Sequence, residues 1–362
     1  MKKCSERKAI ALNVNNYPHF TDHLGTLSVI MGIPLLFTDE TKRLEAQRMY
    51  PGLETLCAEW DSLTPQNLIE NYDVLFQTQP LDLKFRELFR PLEKQYRKTI
   101  RNVHCPHGFS DKVIWFQYCV DEDITLVYGQ SMLDMFKELG IANRLKTYVR
   151  TGNYRYSYYL QHQSFFDQLI ETEILSSFSE KKPLILYAPT NNDQQHSTSF
   201  LESTPLFENF PSEYNLLVKL HPTLEDTDPA AVYQMMAKYE KKGSIRFIKD
   251  LPLVFPLLAR TDIYIGDMSS IGYDFLVFNR PQYFLNRLKP DPKLNRNLAL
   301  YRCGVEVTPD RYQELFSIIE KTLPKDKERF SEVREATYHY AFGDPIPFPE
   351  IKANIITAYD ST

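Results

Sequence analysis

The sequence predicts an α/β protein of two domains, each a parallel sheet covered by helices on both faces. Three observations carry this. The chain has 362 residues, and domains of roughly 100–200 residues are the usual unit. Short apolar runs alternate with helical patterns almost throughout, the order produced by strand–helix–strand units. That alternation runs through twice, before and after a polar, Tyr-rich stretch at 153–163.

In the first series, residues 9–14 (AIALNV) read as a strand, 23–31 as a helix, 34–37 (PLLF) as a second strand and 73–77 (DVLFQ) as a third. Residues 92–98 read as helical, and 99–104 lead into a loop at 105–110. Residues 123–128 (DITLVY) form a strand and 131–139 a helix closed by Gly140. The second series places strands at 183–187, 215–220, 244–248, 262–265 and 282–285, with helices at 229–240 and 270–278. The expected domains are residues 1–170 and 171–345, with a helix in 346–362 packing back on the first domain. These are two Rossmann-like domains, expected to face each other across a cleft, because open parallel sheets bind ligands beyond the carboxyl ends of their strands.

Composition narrows the function. Hydrophobic residues at 43% and charged residues at 25% are ordinary for a globular chain able to bury two cores. A net charge of −5 argues against a dedicated nucleic-acid binder while allowing a local basic pocket for a phosphorylated ligand. Five cysteines, an odd number without a CxxC pair, argue against a disulfide framework or zinc ribbon and fit a reducing, cytoplasmic compartment. No apolar stretch approaches ~18 residues, and the amino-terminal residues lack a sustained apolar run, so neither a membrane span nor a signal peptide is expected. No Asp-x-Asp pair ends a strand; no metal and no cofactor are expected.

Four motifs carry candidate chemistry. In 262–281 (DIYIGDMSSIGYDFLVFNRP) a strand ends in the turn Gly266–Asp267, and Ser269 or Ser270 caps a helix with apolar Ile271, Phe275 and Phe278 on one face. Free amides at such a helix start attract anions; the same residues also read as a plain capped helix. In 216–222 (LLVKLHP), Lys219 and His221 share one face of an extended segment, suited to a pyrophosphate, or else the histidine bonds a backbone carbonyl. In 104–112 (HCPHGFSDK), Gly108 permits a sharp turn, His107 is a candidate general base and Lys112 a nearby charge, whereas His104 reads as a core histidine. In 187–193 (YAPTNND), Thr190 leaves a strand end. Thr151-Gly152-Asn153 is a similar turn. Each motif alone also reads as a loop feature without a role.

Their order, HG…K, TGN, LYAPT, KLHP, GDMSS…DF…RP, resembles the CDP-glycerol:poly(glycerophosphate) glycerophosphotransferase family, from about residue 100 to about 285. There the stretches look like HGTPLK, GNPR, LYAPTWRD, RLHP and TDYSSVYFDF…RP. The resemblance implies a GT-B-like fold and transfer of a polyol phosphate from a CDP-linked donor to an acceptor hydroxyl in cell-envelope polymer synthesis. It implies His107 as base, with Gly108 and Lys112 in the same motif. It implies His221, Lys219 in place of arginine, Asp267, Ser269 and Ser270 at the donor phosphates, and Asp274 on the helix. A membrane-linked acceptor and peripheral contact with the inner membrane face are implied too. Phe109-Ser110 replace the family's Thr-Pro, Met268 its tyrosine and Asn191-Asn192 its Trp-Arg. A nucleotide-sugar glycosyltransferase, a nucleotide-sugar epimerase and a non-catalytic nucleotide-binding descendant are the other readings.

Overall fold

A computed structural model of the protein describes residues 7–79, 83–112, 116, 119–192, 198–288 and 299–361. The chain divides into two compact units. The first comprises residues 1–109, 113–161 and 341–362, and the second comprises 110–112 and 162–340.

The first unit holds the strands β1 (Ala9–Asn13), β2 (Leu35–Phe37), β3 (Thr55–Cys57), β4 (Val74–Gln77), β5 (Arg101–His104), β6 (Ile124–Val127) and β7 (Tyr148–Arg150). Among the described residues they form one sheet in the order β3-β2-β1-β4-β5-β6-β7, with every pair parallel. Ile10 and Ala11 of β1 and Val74, Leu75 and Phe76 of β4 are buried, as unbroken apolar runs must be in a sheet covered on both faces.

The second unit repeats the plan with β8 (Leu184–Ala188), β9 (Asn215–Lys219), β10 (Ile245–Ile248), β11 (Ile263–Gly266), β12 (Gln282–Leu285) and β13 (Val305–Val307). The order is β10-β9-β8-β11-β12-β13, again all parallel. β8 is buried along its whole length and pairs Ala188 with Gly266 of β11. In each sheet the order reverses beside the first strand, between β1 and β4 and between β8 and β11. Loops leaving the carboxyl ends of such a pair diverge to opposite faces and open a crevice.

The two-sheet α/β class is the expected one, and several elements differ from the sequence reading. β3, β7 and β13 are three residues each, too short to show a pattern. The first helix begins at Pro18 rather than 23; proline at the first helical position fits because its missing N–H has no intrahelical partner there anyway. The Tyr-rich stretch is a helix, Tyr154–Gln161, whose Tyr154, Tyr158 and Tyr159 face inward. Its Arg155 lies 2.6 Å from Asp22, a pair almost wholly enclosed. The next helix, Gln163–Glu173, packs on Phe255–Arg260 in the second unit, with Arg260 3.6 Å from Asp167. The units therefore divide after 161 and after 340, ahead of the expected 170 and 345. The helix Phe348–Ser361 packs on β7 and on Pro18–Met31, and Arg7 donates to the Tyr359 carbonyl at 2.8 Å.

A long helix that the sequence reading omits, Asp326–Phe342, is pinned by a buried ion pair. Arg334 is fully enclosed and donates to both Asp326 oxygens at 2.6 and 2.7 Å and to the Cys303 carbonyl at 2.8 Å. Removing one partner strands the other charge in a low-dielectric interior, at about 3–5 kcal/mol. Arg334→Ala is expected to lower stability by that amount in urea unfolding, and Asp326→Leu combined with Arg334→Met by clearly less.

Candidate functional site

In the second unit the chemistry gathers where β8 and β11 end. Asp267 follows β11 and has no exposed surface. Its Oδ1 accepts from the Thr190 amide at 2.7 Å; its Oδ2 accepts from the Ser199 amide at 2.8 Å and the Ser199 hydroxyl at 2.9 Å. Since Ser199 spends its one proton on Asp267, Tyr187 donates to the Ser199 oxygen, at 2.8 Å. Burial pushes the Asp267 carboxyl up to about 6, opposed by these hydrogen bonds and by the nearby Lys112 charge. A carboxylate so enclosed and so occupied fastens the loop after β8 to the end of β11.

Lys112 reaches the same place. Its Nζ donates to Thr190 Oγ1 at 2.8 Å and Asn191 Oδ1 at 3.0 Å. Thr190 thus takes part through its amide and its hydroxyl, and a cation stands at the β8 exit. Ser269, two residues past Asp267, caps the helix Ser270–Phe275 by accepting from the Ile271 amide at 3.4 Å. Ser270 is half-buried and opens the helix. The helix is shorter than the expected 270–278; its last residues, Leu276–Phe278, tighten into a 3₁₀ turn. Asp274 is buried in that helix.

Lys219 and His221 leave the sheet one strand over, at the end of β9, which pairs with β8. Lys219 Nζ donates to the Leu251 carbonyl at 2.6 Å. His221 caps the helix Pro222–Thr227, its Nδ1 accepting from the Thr223 amide at 3.3 Å, with the Thr223 hydroxyl at 2.9 Å.

Residues 110–112 pack with this unit, and Asp111 was invisible to sequence reading because one aspartate in a loop carries no pattern. It is buried, accepting from the Tyr273 hydroxyl at 2.7 Å and the Leu300 amide at 3.3 Å. Burial pushes its carboxyl up to about 7. Ser199 escaped notice for the same reason.

His107 and Gly108 belong to the first unit, at the reversal beside β4. The Thr78 carbonyl, one residue past β4, accepts from His107 Nδ1 at 3.3 Å and from His104 Nε2 at 3.2 Å. His104 is enclosed and held down to about 4 by burial, with Cys119 Sγ 3.3 Å from its Nδ1. His107 keeps an exposed ring, packed edge-on to His19 and beside Phe20. Desolvation lowers its pKa, and the hydrogen bond to the Thr78 carbonyl opposes that shift. Gly108 has φ of 121°, a backbone state closed to most side chains. The turn is bolted by Tyr128, a residue sequence reading missed: its hydroxyl donates to the Pro106 carbonyl at 2.6 Å and accepts from the Gly108 amide at 3.1 Å and His23 Nδ1 at 3.0 Å. Tyr128→Phe is expected to cost about 1–3 kcal/mol through the unpaired amide and carbonyl, read in thermal unfolding.

A carboxyl that binds its proton more tightly folded than unfolded adds stability below its unfolded pKa, near 4, and loses it as pH rises to the folded value. Asp111 therefore contributes a decline in stability between about pH 4 and 7. Asp111→Asn is expected to lack that contribution, so the stability difference between wild type and variant shifts in the variant's favour across this range. Urea unfolding at pH 4 to 8 measures it; a pH-independent difference contradicts it.

Residues 123–287 match the family described as CDP-glycerol:poly(glycerophosphate) glycerophosphotransferase. The match includes Thr190, Lys219, His221, Asp267, Ser269, Ser270 and Asp274, and leaves His107, Gly108 and Lys112 outside. The teichoic acid glycerol-phosphate primase of Bacillus spizizenii is 29% identical over 189 residues, 52% of this chain and 45% of that protein. The teichoic acid poly(ribitol-phosphate) polymerase of the same organism is 26% identical over 212 residues, 57% of this chain and 32% of that protein. The chain thus spans less than half the length of these curated relatives. A structure of the wall teichoic acid polymerase TagF shares the fold with a TM-score of 0.62 at 14% identity, over 98% of this chain and 88% of that one. The matched segment, which holds the β8–β11 crevice and the β9 exit, is similar to the CDP-glycerol:poly(glycerophosphate) glycerophosphotransferase family.

Proposed function

We propose that the chain is a transferase that moves a polyol phosphate from a CDP-linked donor to an acceptor hydroxyl, in the synthesis of a cell-envelope or surface polymer. The observation that carries this reading is the cation, hydroxyl and amide set at the β8–β11 reversal: Lys112 on Thr190, with Ser269 and Ser270 beside the buried Asp267 fastening. It lies in the type of crevice where open parallel sheets take their ligands, and the family match supports the donor class.

The step is a displacement at phosphorus. His107 takes the acceptor hydroxyl proton, and the acceptor oxygen bonds to the phosphorus that carries the polyol. The bond from that phosphorus to the bridging oxygen breaks, and CMP leaves with the bonding pair. Lys112, Lys219, His221, Ser269 and Ser270 stabilise charge on the donor phosphates. Phosphoryl transfer of this kind depends on positioning and electrostatics, which these groups supply. The acceptor is proposed to be membrane-linked, with the chain bound peripherally at the inner membrane face. Among the described residues no helix is long and apolar enough to cross a membrane.

Incubation with CDP-glycerol or CDP-ribitol and an acceptor polymer is expected to release CMP; release of a nucleoside diphosphate from a nucleotide sugar instead would assign glycosyl transfer. His107→Ala is expected to reduce turnover by about 10²–10⁴-fold with the fold retained, and Lys112→Ala or His221→Ala to weaken CMP binding in a thermal-shift titration. Wild-type turnover in His107→Ala removes it from the mechanism.

A further inference from the structure

The two imidazoles of the proposed mechanism meet the main chain through the same ring atom and opposite chemistry. His107 Nδ1 faces a carbonyl, that of Thr78, which can only accept. His221 Nδ1 faces an amide, that of Thr223, which can only donate. A neutral imidazole has one N–H and one lone pair, and the group beside one nitrogen decides the state of the other.

We propose that the backbone holds these two rings as opposite tautomers, and so divides their labour. His107 carries its proton on Nδ1 and keeps a lone pair on Nε2, the form a proton acceptor requires. His221 keeps its lone pair on Nδ1 and carries its proton on Nε2, the form that donates to a phosphate oxygen. Thr78 and Thr223 are positioning residues that act through these rings. The assignment of the roles, though not of the tautomers, rests on the transferase reading.

The surroundings make each choice costly to reverse. At Thr78 one carbonyl serves two imidazoles, with His104 Nε2–H at 3.2 Å on the same oxygen. With its Nε2 protonated, His104 has Nδ1 as acceptor, and Cys119, 3.3 Å away, donates to it. This buried pair leaves the Thr78 oxygen fixed, so His107 turns its N–H toward a rigid acceptor. At Thr223 the amide belongs to the first turn of the helix Pro222–Thr227 and has no intrahelical acceptor. The tautomer with N–H on Nδ1 sets two donors against each other and forfeits a helix cap, a loss of about 0.5–2 kcal/mol. The Thr223 hydroxyl, 2.9 Å from the same Nδ1, can donate or accept, so it fits either tautomer and the amide decides between them.

The test is a long-range proton–nitrogen spectrum of the full chain carrying ¹⁵N-labelled histidine, with signals assigned by loss in His107→Gln and His221→Gln. Protonated-type Nδ1 with lone-pair-type Nε2 in His107, and the reverse in His221, is the expected result. The same tautomer in both rings, or either ring reversed, overturns the proposal. A second readout uses CMP in calorimetry. His221→Ala is expected to weaken CMP by about 10–100-fold, the worth of a hydrogen bond to a charged oxygen. His221→Gln, whose amide nitrogen stands near Nε2, is expected to restore most of the loss. His221→Asn, whose amide nitrogen stands near Nδ1, is not; rescue by Asn instead of Gln counts against the proposal. Should wild type show the expected spectrum and bind no CMP, the tautomers stand and the transferase reading fails.

Discussion

Parallel pairing, with the strand order turning back beside the first strand of each sheet, decides where chemistry can sit in this protein. Among the described residues every strand of a sheet runs one way, so each sheet delivers the last residues of its strands to one of its edges. The reversal between β8 and β11 sends neighbouring loops apart and leaves backbone groups uncovered between them. An uncovered amide near the core must find a partner, and in the second unit the partner is Asp267. Its carboxylate joins the Thr190 and Ser199 amides across the loops. Without an enclosed acceptor at this point, the loop after β8 would have no fixed course, and neither Thr190 nor Lys112 would have a defined position.

The first unit meets the same demand differently. There the reversal lies beside β4, and the acceptor is a main-chain oxygen, Thr78, shared by two imidazoles. The donor side is taken by a phenol, Tyr128, which bonds both ends of the tight turn at Gly108. One sheet thus stabilises its crevice with a buried charge and the other with neutral groups. Burial acts on the titratable groups of both units: Asp267 and Asp111 are pushed up by it while His23 and His104 are pushed down. Each shift disfavours the charged form, as desolvation requires.

What was legible in the sequence was what repeats or abuts a strand. The apolar runs of β1, β4, β6, β8, β9 and β11 announced both sheets, and Ser269 announced its cap because a hydroxyl before an apolar helical face has a local cause. Asp267 was legible as a residue at a strand end, but sequence shows only that a carboxylate is near a turn and not which amides surround it. Tyr128, Asp111, Ser199, Thr78 and Thr223 were not legible. Each acts on a partner that the fold, rather than the spacing, supplies, or through backbone atoms that every residue possesses. The helix Tyr154–Gln161 was hidden by its own composition, because a run of tyrosines reads as a polar boundary until the inward face is seen.

The first unit is discontinuous in the chain: its sheet comes from residues before 162, and a helix against that sheet comes from after 340. On a ribosome, residues 162–340 emerge in full while the first unit still lacks the helix that covers β7. The later-coded body can therefore close before the earlier-coded one is complete, an inversion of the usual amino-to-carboxyl sequence of maturation. Its consequence is that the apolar surface awaiting Ile351, Ile355 and Tyr359 stays open while residues 162–340 are made. The first unit's exposed sheet face is therefore where protection is needed before the helix Phe348–Ser361 is made.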